Sequence, residues 1–297
     1  MEFQTLQYSI DMLVQRVRAG RLALPDFQRD FVWSPSRVVE LLDSVARQWP
    51  IGSLLLLSGP QPFAIREIDG APKVAGDQLD LYILDGQQRI TSLFHAITDS
   101  SEYCYFIDFS ALSSNEEDYI RWERKDKFYK NYPSVADRAT HELALISDVW
   151  DSEQFYAWLD KLNDTNKKIN HVILRDKRLA GLQSKVYKVA TIQLEQEINL
   201  EALARIFETL NRTGVRLSAF DLMVAVLYPS GFKLRDEWDS AKSKHEILRT
   251  LNVEAIEILK LTALIVRTTL GRGESAGVRQ GDLLHIKRHL IRETLHK

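Results

Sequence analysis

Residues 79–97 place the tightest limit on the fold. A short apolar run, Leu79 to Leu84, ends in Asp85-Gly86, and from Gln87 onward Ile90, Leu93, Phe94 and Ile97 recur at helical spacing. The hydrophobic period changes from strand to helix across two residues, one of them a glycine. That junction requires a buried strand whose chain turns at once into a helix packed back on the sheet. The flanking sequence repeats the theme. Ile10, Leu13, Val14 and Val17 predict a helix over 8–20, with Ser9 as its cap and Gly20 as its stop. Residues 22–25 read as extended. Ser34-Pro35 starts a second helix, a capping side chain followed by proline in the first turn, with Val38, Val39, Leu41, Leu42, Val45 and Ala46 on its buried face. Trp49-Pro50-Ile51-Gly52 is a turn, further strands are expected over 53–58, 64–68, 103–109 and 186–194, and 69–77 reads as a hairpin loop.

Between 110 and 170 the sequence is charged and aromatic, and predicts a mainly helical insertion with Trp122, Phe128, Tyr129, Tyr132, Trp150, Phe155, Tyr156 and Trp158 packed inward. A base-stacking surface is the functional alternative for those rings. Helical patterns return at 200–210, after Ser218 with Asp221 in the first turn, and over 233–248, 253–269 and 281–296. The expected fold class is α+β, a mixed sheet with helices followed by a C-terminal helical bundle. The expected regions are an α/β core over 1–110, the insertion over 111–185, and a returning strand with helices over 186–297.

Composition excludes several classes. Hydrophobic residues make up 45% and charged residues 27% of the 297, the balance of a globular chain rather than a disordered tail. The longest apolar run, Ile51 to Leu57, is too short to cross a bilayer, and the N-terminus lacks a signal-peptide pattern, so a cytoplasmic location is expected. One cysteine, Cys104, rules out an internal disulfide and a CxxC metal site. Net charge is −2, so a global basic field for nucleic acid is absent. From Lys233 onward thirteen Lys/Arg stand against nine Asp/Glu, an excess that reads as a solvated helical face.

Three segments carry candidate chemistry. At Asp85-Gly86-Gln87-Gln88-Arg89 a helix begins where a strand ends, and its unpaired N–H groups suit an anion. Gly86 lets the backbone approach a ligand closely, Arg89 offers a fork matched to phosphate oxygens, and Gln87 and Gln88 offer neutral donors and acceptors. Thr91 and Ser92 add hydroxyls, and Asp85 can hold a divalent metal or orient a water. The plainer reading makes Asp85 a cap and Arg89 a surface cation; structure alone gives little reason to expect paired glutamines. No GxxxxGK[ST] loop is present. Upstream, Phe27, Phe31 and Trp33 are expected to pin a loop that leaves Gln28 and Arg29 facing a cleft, unless Arg29 pairs with Asp26 or Asp30. Downstream, Asn211 and Thr213 stand ready to reach a base or sugar, with Gly214 in a left-handed turn, though that loop by itself also reads as purely structural.

Taken together, Pro25 through Trp33, Asp85 through Leu93, and Phe207–Asn211 with Gly214, Leu217-Ser218 and Asp221-Leu222 resemble the N-terminal domain of GmrSD-type, modification-dependent restriction proteins. SspE and BrxU carry a similar domain, and the family is related to the ParB/sulfiredoxin fold. The resemblance implies an NTP-binding, Mg²⁺-dependent NTP-hydrolysing regulatory domain of a phage-defence system that controls cleavage of DNA, modified DNA in particular. It implies catalytic roles for Asp85, Gln87, Gln88 and Arg89, with Asp85 at the metal. It implies nucleotide contacts from Gln28, Arg29, Gly86, Arg89, Thr91, Asn211, Thr213 and Gly214. A homodimer is compatible with it. Complete proteins of this type often carry an HNH nuclease domain, and the seven histidines here show no such arrangement. His285 and His289 lie four apart on an expected helix with no evident acidic partner, so solvated histidines are expected there and the nuclease is expected in a further domain or partner protein. Two rival readings remain: a non-catalytic reader of modified DNA with nucleotide as ligand, and a ParB-like nuclease. A last expectation is that Arg29, Arg89 and Asn211 line one cleft, because converging arginines with no carboxylate between them need an anion.

Overall fold

Short polar residues ahead of apolar-periodic runs set the helix starts. In the computed structural model, which describes residues 3–26, 28, 30–59, 64–74, 79–195, 206, 220, 223, 224, 227, 231–269, 283, 286 and 288–296, strand β1 (Phe3–Ser9) runs directly into helix α1 (Ile10–Arg18). Ser9 Oγ accepts the Met12 N–H at 3.1 Å, and Ile10, Leu13, Val14 and Val17 are buried, as their spacing predicts. Strand β2 (Leu22–Pro25) is buried throughout, and helix α2 (Pro35–Ala46) starts on the Ser34 cap with Pro35 in its first turn. Strands β3 (Leu54–Ser58), β4 (Ile65–Arg66) and β5 (Leu81–Asp85) precede helix α3 (Gln87–Thr98). The chain continues as β6 (Tyr103–Asp108), α4 (Phe109–Ser113), β7 (Ile120–Arg124), α5 (Lys125–Asn131), α6 (Val135–Thr140), β8 (Leu143–Leu145), α7 (Ile146–Trp150), α8 (Ser152–Leu159), α9 (Thr165–Arg178) and β9 (Lys188–Leu194). The C-terminal helices are α10 (Leu234–Lys244), α11 (Glu246–Thr250), α12 (Ala255–Thr269) and α13 (Arg288–His296).

The chain is α+β. A mixed six-stranded sheet runs in the order β1-β9-β3-β5-β2-β4. Inside it, β5 pairs parallel with β2 and antiparallel with β3, so Leu81, Tyr82, Ile83 and Leu84 are buried on both faces. A continuous apolar run is what such a position requires. One expectation is corrected here. Residues 69–77 do not close a hairpin, because β4 pairs with β2 and β2 lies between β4 and β5. Alternation along a strand reports which faces are buried, not which neighbour supplies the ladder, and β4 is only two residues long.

A second correction concerns 110–170. The segment is mainly helical, as expected, but β7 and β8 also lie within it and flank β6 in an antiparallel three-stranded sheet. Phe128, Trp150, Phe155 and Trp158 do pack inward, whereas Trp122 and Tyr156 are exposed. Trp158 stacks at 5.2 Å on Phe109, and its indole N–H donates to the Leu143 carbonyl at 2.8 Å. One apolar core joins the two sheets, running from Ile10 and Leu42 through Phe94 and Ile107 to Trp158 and Val189. The C-terminal helices hold a cluster of their own, including Leu234, Trp238, Leu259 and Ile291, and Arg292 Nε donates to Glu237 at 3.0 Å to tie α13 to α10. The helix expected at 200–210 lies almost wholly outside the described residues. Among the described residues no helix is long and apolar enough to cross a membrane.

Candidate functional site

The site begins where β5 runs out. Asp85 is its last residue, and Gly86 turns the chain with φ 95° and ψ 10°, the left-handed region that glycine alone enters without cost. Space demands glycine as well, since a Cβ there would sit 2.3 Å from Leu54 Cδ2. Gly86 caps α3 without a side chain, so the first N–H groups of the helix receive no hydrogen bond from a capping side chain. Ten of the twelve residues of α3 are buried, which makes it a central helix; only Arg89 near its start and Thr98 at its end are half-buried.

Arg89 bends back toward the turn. Its Nη2 meets Asp85 Oδ2 at 3.0 Å and its Nη1 donates to the Ile51 carbonyl at 2.8 Å. The guanidinium lies between two left-handed glycines: a Cβ on Gly52 would fall 2.6 Å from Nη1, and one on Gly86 3.3 Å from Nη2. Gly52 therefore belongs to the site, although its sequence context, Trp-Pro-Ile-Gly, signalled only a turn. Asp85 already matches part of the charge on Arg89, so the expectation of arginines converging without a carboxylate is corrected for this residue. The pair is held by one contact, not a bidentate fork, and both side chains keep some exposure, 16% for Arg89 and 26% for Asp85.

The glutamines have structural work. Gln88 is buried; its Oε1 accepts the Val32 N–H at 2.9 Å and its Nε2 donates to the Asp30 carbonyl at 2.9 Å. One amide thus satisfies both backbone polarities of the 30–32 segment, a reason for glutamine that the sequence did not reveal. Gln87 is buried too. Gln28 does not face a cleft freely: it is buried, and its Nε2 donates to the Leu84 carbonyl at 2.8 Å at the end of β5. Burial forces that outcome, because an amide withdrawn from water must find a partner. The hydroxyls of the first helical turns also turn inward. Ser92 Oγ donates to the Gln88 carbonyl at 2.8 Å, and Thr91 Oγ1 is buried without a hydrogen-bond partner among the described residues.

The 28–32 segment is held from other sides as well. Arg66 Nη2 donates to the Gln28 carbonyl at 2.9 Å, and Arg66 Nη1 stands 3.4 Å from Asp30 Oδ1. Asp30 therefore pairs with Arg66. Phe31 and Trp33 pack on the core, and the Phe31 ring meets His95 edge-on at 5.1 Å. His95 Nε2 lies 2.8 Å from the Asp69 carbonyl; burial pushes its imidazole below the ordinary value, with the Asp69 contacts opposing. Beside this segment opens a cleft of about 510 Å³ between Asp30-Phe31 and the stretch from Arg66 to Lys73. Its charged lining is mixed, with Asp30, Glu67 and Asp69 against Arg66 and Lys73. Phe27, Arg29, Asn211, Thr213, Gly214, Ser218 and Asp221 lie outside the described residues, and the meeting of Arg29, Arg89 and Asn211 lies there with them.

Other candidate chemistry is weaker. Cys104 is buried, and burial pushes its thiol up to about 12, which removes it as a nucleophile at neutral pH. No group of three or more His, Cys, Asp or Glu is placed to hold a metal among the described residues. His289 is exposed, and His285 lies outside the described residues.

An uncharacterized protein of Methanocaldococcus jannaschii is 27% identical over an alignment of 314 positions, which takes in 95% of this chain and 51% of the relative. The chain thus spans about half the length of the curated relative it matches. The family model for the N-terminal domain of the GmrSD restriction endonuclease matches residues 10–228, a stretch that includes the junction at Asp85, the segment at Gln28 and the loop at Asn211. The chain belongs to the GmrSD restriction endonuclease N-terminal domain family.

Proposed function

We propose that this domain binds a nucleoside triphosphate at the start of α3 and hydrolyses it with Mg²⁺, as the regulatory part of a restriction system that acts on DNA. The observation that carries the reading is Arg89. Its guanidinium stands beside the start of a helix with no capping side chain, held by Asp85, the Ile51 carbonyl and the packing of Gly52 and Gly86. Helix N–H groups and a fixed guanidinium are the two elements that a phosphate chain uses most. Phosphoryl transfer needs positioned groups and neutralised charge rather than covalent help. Arg89 would move from Asp85 to the phosphates, exchanging one anion for another at little electrostatic cost.

The donor set fits Mg²⁺ in its usual form, one or two carboxylates completed by phosphate oxygens and water. Asp85 is the carboxylate in place, and release of its contact with Arg89 would free the oxygen now paired. The cation would supply charge neutralisation on the phosphates. Gln88 and Gln28 would act by holding the 28–32 segment against β5 and α3.

Phosphate release from each NTP with Mg²⁺, compared between the wild type and Arg89→Ala, tests the reading. Loss of about 100-fold or more in turnover is expected from removing a transition-state donor of this kind. Equal release by the two proteins would sink the assignment. The Asp85–Arg89 contact favours one rival, a domain in which nucleotide is a ligand only, because the carboxylate is already occupied. Calorimetry showing nucleotide binding without turnover would favour that rival.

A further inference from the structure

The turn that holds Arg89 is itself held by a tyrosine. Strand β9 runs parallel to β3, with Thr191 opposite Leu54. Carried back four residues on each side, that register sets Tyr187 level with Pro50, in the middle of the Trp49–Ile51 turn. The contact is made by a hydrogen bond: Tyr187 Oη donates to the Trp49 carbonyl at 2.5 Å. Two residues on, the Ile51 carbonyl accepts from Arg89 Nη1 at 2.8 Å. Pro50 lies between the two carbonyls and stiffens the link, since its ring fixes φ. The Trp49 indole is 54% exposed, with the Arg47 guanidinium over it at 5.1 Å, so it does not anchor the turn from inside. Tyr187 is buried, its ring belongs to the core, and its carbonyl accepts the Ile10 N–H at 3.1 Å at the start of α1. Burial pushes the phenol pKa up, with the Ile51 backbone opposing, so the hydroxyl keeps its proton and donates at neutral pH. A phenylalanine would fill the same space in the core. The hydroxyl adds the bond to the turn.

We propose that Tyr187 is a positioning residue of the α3 site: its hydroxyl fixes the Trp49–Ile51 turn, and through the Ile51 carbonyl it fixes the guanidinium of Arg89. The inference rests on the nucleotide reading given above. In that reading Arg89 exchanges Asp85 for the phosphates, and the Ile51 carbonyl is the contact that stays. The direction in which Nη2 points then depends on where that carbonyl stands. A guanidinium is planar, so fixing one nitrogen constrains the other. Tyr187 touches no reacting group in this assignment. Its effect is exerted through Arg89 and is lost when the Arg89 fork is lost.

Two readouts on the full chain test it with Tyr187→Phe, which removes the hydroxyl and keeps the ring. The first needs no nucleotide. It is the arginine side-chain NMR spectrum, with the Arg89 guanidinium signal assigned by its loss in Arg89→Lys. Rotation of the Arg89 guanidinium should quicken roughly fivefold in Tyr187→Phe, the factor for one hydrogen bond of ordinary strength. Arg121, which pairs with Asp108 at 2.6 Å beside the second sheet, is the internal control and should not change. An unchanged Arg89 signal overturns the proposal. Equal quickening at Arg89 and Arg121 also overturns it, because that is general loosening of the fold. The second readout is the affinity for Mg-ATP and Mg-GTP by calorimetry. Tyr187→Phe should weaken binding roughly fivefold in the wild-type background and by no further factor in the Arg89→Lys background. Equal losses in both backgrounds overturn it. A wild type that binds neither nucleotide defeats the functional reading instead, and a quickened Arg89 signal in Tyr187→Phe would then still support Tyr187 as the residue that positions Arg89.

Discussion

At the scale of single residues, shape constraints at the turn are as tight as the chemistry. Gly86 has no room for a methyl group, with Leu54 in the way, and its φ of 95° disfavours any other residue. Gly86→Ala is expected to destabilise the protein by about 1–3 kcal/mol through strain and displacement of Leu54. It should also disturb Arg89, whose Nη2 lies on the same side. Chemical denaturation checks the first effect and nucleotide affinity the second; a Gly86→Ala protein of wild-type stability would contradict the geometry. Gln88 shows why residue type and residue role separate. Its amide is consumed by Asp30 and Val32, so its presence in the motif reflects backbone pairing at least as much as ligand chemistry. The sequence displayed the paired glutamines but not the segment some fifty-five residues upstream that one of them grips.

At the scale of elements, α2 and the stretch before β9 meet through a glycine. A Cβ on Gly181 would stand 1.7 Å from the Val45 carbonyl oxygen, a backbone atom at the end of α2 that no side-chain rotation can move. Gly181→Ala should therefore cost more than Gly86→Ala, about 3 kcal/mol or more, by forcing the helix off the core. Thermal melting of the two variants side by side checks the order; the reverse order would refute it. The helix starts were legible because capping is local: Ser9 and Ser34 accept N–H groups three residues on, and Pro35 follows the second. The pairing of β4 with β2 was not legible, since it depends on residues forty positions apart and on an edge strand too short to show a period.

At the scale of the whole molecule, two buried histidines tie stability to pH. His95 and His171 are each 3% exposed or less in the side chain, and burial pushes both imidazoles below the ordinary value, against the pull of Asp69 on one and Glu142 on the other. A depressed histidine pKa means that the unfolded chain binds the proton first. The stability these groups contribute is complete above the unfolded value of about 6.5 and declines as pH falls below it, until the folded value is reached. The melting temperature should therefore drop as pH is lowered from 7 toward 5. His95→Gln should flatten part of that slope; an unaltered slope would show that His95 does not titrate in this window. The charge balance explains a different property. With net charge −2, attraction to DNA through the chain as a whole is not favoured, so contact with DNA would depend on a local surface.

Local chemistry, read from the sequence alone, determined the strand-to-helix junction at Asp85-Gly86, the capped starts of α1 and α2, the buried run of β5 and the α+β class. Each follows from residues within one or two turns of one another. Tertiary structure decided the rest. It placed Arg89 between Gly52 and Gly86, turned Gln28 and Gln88 inward, joined Arg66 to the 28–32 segment and drew two strands out of a region that reads as helical. The physical reason is the same in each case. A buried polar group or an unpaired strand edge must find a partner, and that partner is supplied by whichever distant segment the core brings alongside.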